Sequence, residues 1–160
     1  MMEKMTGRGP EDEMMGTQAS TEMSPVSLEH VRIQDGFWSE TQELVRNVVI
    51  PFQWDALTDR VPGAHPSHAI ENFRLAAGET SGSFIGMVFQ DSDVAKWLEA
   101  VGYSLKTHPD AALEAMADSV IELIEKAQQP DGYLNSWFTV LAPGQRWTIL
   151  LDCHELYSAG

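Results

Sequence analysis

Apolar residues in this chain recur three and four apart, in segments that Pro and Gly repeatedly cut short. That pattern leaves helices as the main building element. The clearest case is Leu113, Met116, Ala117, Val120, Ile121, Ile124 and Ala127, an apolar stripe on one helix face. It follows a turn at His108, Pro109 and Asp110 and stops at Pro130, Asp131 and Gly132. Val94, Trp97, Leu98, Val101 and Leu105 repeat the pattern behind Asp91, Ser92 and Asp93, which suit the positive end of a helix as N-cap residues. Leu44, Val45, Val48, Val49 and Phe52 make a third stripe, opened by a Ser39–Gln42 capping box. Pro51 lacks an N–H and is expected to kink or end that helix. A shorter helix is expected from Ser67 to Ala77, closed by Gly78, and a last one from Trp147 to Tyr157. Val26 to Ile33 reads as one strand or an extended lead-in, broken by Gly36, and Ser81 to Gly86 as a flexible connector. Strand signals are too few for a sheet. The expected class is all-α, with helix pairs joined by irregular loops as in bundles, solenoids or α/α barrels.

Six of the eight methionines fall in the first 23 residues, among Gly, Pro, Ser, Thr and acids, and no aromatic residue precedes Phe37. Residues 1–26 are therefore expected to be a disordered leader and residues 27–160 the folded part. Ten Lys and Arg against 24 Asp and Glu leave a formal charge of −14. Binding to nucleic acid is not expected, because no basic run is present to displace counterions from phosphates. An anionic membrane surface would repel the chain, and no apolar stretch reaches the roughly 20 residues that span a bilayer. Glu3, Glu11, Asp12 and Glu13 stand where a signal peptide would be apolar. One cysteine, Cys153, excludes an internal disulfide, and the expected compartment is the cytoplasm.

Most short motifs resolve to structural roles. His154-Glu155 would need a second histidine where Ser158 stands to form a zinc-protease motif. His65 and His68 have Pro66 between them and no acid or thiol cluster beside them, so metal binding is not the favoured reading. Cys153 and His154 are neighbours and would diverge by about 100° on a helix, which suits a core cysteine better than an activated nucleophile. Two segments keep a functional reading, Met87 to Glu99 and Gln128 to Leu134. Both set aromatic and hydrogen-bonding side chains at helix ends. Trp97 and Tyr133 could stack on a sugar or simply seal those ends, and the residues alone leave both open.

In order, Gly36-Phe37-Trp38, Val49 to Trp54, Met87 to Glu99, Gln128 to Leu134 and His154-Glu155-Leu156-Tyr157 resemble glycoside hydrolase family 127, the β-L-arabinofuranosidases, over about residues 28 to 160. The resemblance implies an incomplete (α/α)6 barrel made of the N-terminal helices only, truncated after residue 160. Such enzymes remove terminal β-L-arabinofuranosyl residues using a cysteine nucleophile held on zinc, with a Glu as acid/base. All of these groups are expected beyond this chain, so no catalytic residue, metal ligand or cofactor is expected within it. His154 carries over as a pocket residue, with Cys153 in place of the family's Ser. Gln90, Asp91 and Asp93 match the pattern and are candidate substrate-binding residues, with helix capping as the other role open to the two acids. The loop from Asp59 to His68 is expected to be shorter than in the family. The expected function is that of a fragment of a carbohydrate hydrolase, inactive alone, whose carbohydrate site is completed by the rest of the barrel. Self-association through exposed helix faces is also expected. A non-enzymatic helical interaction module is the alternative.

Overall fold

The computed structural model describes residues 24–147. The expected leader up to residue 23 and most of the expected last helix, including Cys153 and His154, lie outside the described residues. Six α-helices follow in order: α1 (Gly36–Leu44), α2 (Ile50–Leu57), α3 (Ala69–Ala76), α4 (Asp91–Thr107), α5 (Ala111–Ala127) and α6 (Ser136–Leu141). No strand occurs among the described residues, and the segment read as a strand or lead-in holds only a single 3-10 turn, Leu28–His30.

The first helix begins earlier than the Ser39–Gln42 pattern suggests. Asp35, in extended conformation, accepts the Trp38 backbone N–H at 2.8 Å and so caps α1. Gly36 is then the first helical residue rather than a breaker. Nor does Pro51 end the helix. Val45–Val49 widen into a π turn, and the Ile50 N–H donates to the Val45 carbonyl. Pro51 therefore falls in the opening turn of α2, directly after the π turn, and the helix runs on through it.

Between α2 and α3, Asp59 closes the loop by accepting the N–H groups of Ser67 at 2.6 Å and His68 at 2.9 Å. His68 adopts φ 57° at the N-cap of α3, and its Nδ1 lies 3.2 Å from Asp59. Its imidazole is thus committed to the loop. As expected, Gly78 ends the α3 region, at φ 71°.

The core forms where α2, α3, α4 and α5 meet. Ile50, Leu57, Ile70, Phe73, Val94 and Val101 are buried there. Each such side chain contributes on the order of 1.5–3 kcal/mol by leaving water. On α5 the buried set is Ala117, Val120, Leu123 and Ala127, whereas Ile121 is 53% exposed. The stripe is thus rotated from the one read in the sequence, because α3 and α4 cover only one side of α5. Helix α6, which periodicity did not reveal, packs against α3 and builds a second small cluster around Tyr133 and Phe138.

Candidate functional site

The segments Met87 to Glu99 and Gln128 to Leu134 meet through the N-termini of α4 and α6. Asn135 caps α6 by accepting the Phe138 N–H at 2.9 Å. Its amide also donates to the Val88 carbonyl at 3.1 Å, which ties the loop before α4 to the start of α6. Asp91 makes the second tie. The Ser136 N–H donates to Asp91 Oδ2 at 2.6 Å, and the Ser136 hydroxyl donates to Asp91 Oδ1.

Asp91 is therefore not the helix cap that its position suggested. The N-cap residue of α4 is Gln90, with no capping side-chain bond, and Asp91 is buried as the first helical residue. Burial pushes its carboxyl pKa upward, and the two bonds from Ser136 offset that only in part. Gln90 is also engaged internally. Its Oε1 accepts the Met87 N–H at 2.9 Å and its Nε2 donates to the Ser67 carbonyl at 2.8 Å. Gly86 makes room for this amide: a β-carbon there would sit 1.7 Å from Gln90 Oε1.

Asp93 differs from its neighbours in the same motif. It is exposed and stands 3.5 Å from Lys96. It also lines a cavity of about 460 Å³, together with Gln53, Ser67, Lys96 and Trp97. The structure thus gathers Gln90 and Asp91 into the supporting wall and leaves Asp93 facing open space. Gln53, Ser67 and Lys96 join it, although they had no signal of their own in the sequence. The buried Asn135 and Ser136 were missed too, since short polar residues in a loop look alike whether they are buried or exposed.

Trp97 and Tyr133 are core residues of the two apolar clusters. Trp97 is 4% exposed, donates its indole N–H to the Ile50 carbonyl at 3.2 Å and packs on Trp54 with ring centroids 4.8 Å apart. Tyr133 is 8% exposed, with the Arg146 guanidinium 4.4 Å from its ring centre. Neither ring offers a free face to a sugar.

Residues 30–160 match the catalytic domain of the GH127 β-L-arabinofuranosidases. The chain belongs to that family. It is 39% identical over 147 residues to a non-reducing end β-L-arabinofuranosidase of Bifidobacterium longum, covering 82% of this chain and 22% of that protein. Among solved structures, a GH127 β-L-arabinofuranosidase from Geobacillus stearothermophilus superposes with a TM-score of 0.78 at 63% identity, covering 81% of this chain and 20% of that one. A second GH127 β-arabinofuranosidase gives a TM-score of 0.69 at 30% identity, covering 84% and 21%. The chain therefore spans about a fifth of the length of these GH127 relatives. Its helices correspond to part of the helical barrel expected of the family.

Zinc, which the resemblance implies for the family, finds no fitting donor set among the described residues. Among the described residues no three His, Cys, Asp or Glu side chains converge on a common point. A zinc-held thiolate would need cysteine sulfur, and the chain's single cysteine, Cys153, lies outside the described residues. No helix among the described residues is long and apolar enough to cross a membrane.

Proposed function

We propose that this chain supplies one wall of the sugar pocket in a β-L-arabinofuranosidase. The observation that carries the reading is the GH127 match over residues 30–160. The carbohydrate partner is a terminal β-L-arabinofuranosyl residue. His154 and Asp93 are the residues proposed to face it. Gln90 and Asp91 are proposed to act indirectly, by fixing where α4 begins and how α6 docks on it. Nucleophile, zinc ligands and acid/base are assigned to other parts of the barrel, so these 160 residues alone are expected not to hydrolyse an arabinofuranoside. Cytoplasmic location belongs to the same proposal and rests on the single cysteine.

A graft tests the assignment. Residues 30–160 would replace the matching segment of the Geobacillus relative, whose 63% identity makes the junctions compatible. The chimera is expected to retain hydrolysis of a β-L-arabinofuranoside. His154→Ala or Asp93→Ala in that chimera should lower kcat/KM about 10- to 100-fold, through lost substrate positioning. A folded chimera without activity, or full activity in both variants, overturns the proposal.

A further inference from the structure

A groove separate from the α4–α6 wall lies between residues 28–34, α1 and the C-terminal end of α4. Its volume is about 740 Å³, and Arg32, Arg46, Lys106 and His108 all contribute to its lining. Three of the chain's ten Lys and Arg are thereby gathered at one place, in a molecule whose net charge is −14. They are scattered along the chain, so no run of basic residues announces the groove.

The pairing inside it is incomplete. Lys106 stands 3.5 Å from Glu29. Arg32 and Arg46 have no carboxylate within ion-pair distance among the described residues. Arg46 is half-buried on the π turn, and the side-chain bond recorded for its guanidinium is a long one, 3.4 Å to Asn47 Oδ1. A guanidinium carries five donors in a planar fork, and a partly desolvated one with its fork unmet favours a bound oxyanion. Glu29 and Glu43 share the lining, so the Lys and Arg side chains outnumber the carboxylates by one. That balance suits a monovalent carboxylate better than a phosphate dianion. Tyr103 also lines the groove and is 58% exposed, which leaves a ring face free for the C–H surface of a sugar.

We propose that this groove binds a uronate unit of an acidic saccharide, with the carboxylate on Arg32 and Arg46 and the sugar ring against Tyr103. The site does not depend on the arabinofuranosyl assignment, because it shares no residue with the proposed pocket wall.

Calorimetric titration of the 160-residue chain with a linear galacturonate trimer tests it. A neutral glucose trimer and inorganic phosphate serve as comparison ligands. Binding of the uronate trimer is expected in the millimolar range or tighter, and it should weaken as salt screens the charges. Arg32→Gln and Arg46→Gln should each weaken it about tenfold, while Arg46→Lys, which keeps the charge without the fork, should fall between. Arg32 is exposed on an extended segment, so its variant reads the site without threatening the fold. Tyr103→Ala should weaken the uronate trimer as well. Equal binding of the neutral trimer, tighter binding of phosphate, unchanged binding in both arginine variants, or no uronate binding at all overturns the proposal.

Discussion

Asp91 pairs a buried carboxylate with two donors from one residue, and its chemistry follows from that enclosure. Removing the carboxylate by Asp91→Ala would strand the Ser136 N–H and hydroxyl away from water, at an expected cost of about 2–4 kcal/mol. The pH dependence has a definite sign. Burial raises the native pKa above the ordinary 3.8, so between those two values the native state holds more protons than the unfolded chain. The contribution of Asp91 to stability is then fully present below about pH 4 and is lost as pH rises through the native pKa. Asp91→Asn does not titrate, so the advantage of wild type over this variant should be largest in acid, shrink as pH rises and then level off. Urea denaturation of both proteins across the pH range checks this, and an advantage that grows with pH would refute it. None of this was legible from the Asp-Ser-Asp motif. The residue that consumes the carboxylate lies 45 positions away, and a local pattern cannot distinguish an acid that caps its own helix from one that ties down another.

Helices were readable in proportion to their length. The 17-residue helices α4 and α5 carry several turns of periodic apolar residues, and their breaks at His108–Asp110 and Pro130–Gly132 lie at or within a few residues of their ends. The six-residue α6 is too short to show a period and depends on Asn135 and its docking partners. The π turn at Val45–Val49 was hidden for another reason: Pro51 announces a disturbance but does not say whether the chain will break or widen. The two caps provide a comparison of the same local bond in different surroundings. Asp110 accepts the N–H groups of Ala112 and Leu113 in an exposed position. Asp110→Ala should therefore cost about 1 kcal/mol, the ordinary worth of an N-cap. Asn135→Ala loses its cap in a buried setting and also leaves the Val88 carbonyl without this donor. Its expected cost is larger, about 2–3 kcal/mol. Thermal or urea unfolding of the two variants side by side decides the ordering, and equal losses would show that the Asn135 link between α6 and α4 adds nothing beyond capping.

At the scale of the whole molecule, the core lies at the meeting of α2 to α5, while much of the apolar surface before it faces outward. Phe37, Trp38, Leu44, Val48 and Phe52 are each more than half exposed. Leu44, Val48 and Phe52 recur every fourth residue from the end of α1 into α2, so they lie along one side of a continuous helical rod. This explains why the stripe was legible as a helix while its burial was not: periodicity shows that a face is apolar and says nothing about what covers it. GH127 relatives are about four times the length of this chain, and such a face is the kind of surface that a larger helical barrel would cover. With these 160 residues alone in solution, apolar contact between copies is the available substitute. Sedimentation should therefore show mass increasing with protein concentration. Val48→Glu together with Phe52→Glu should shift the population toward monomer, and since both side chains are exposed, the unfolding midpoint should change little. A wild-type chain that sediments as a monomer at every concentration would mean that the rod leaves its apolar side in water, and self-association would be wrong.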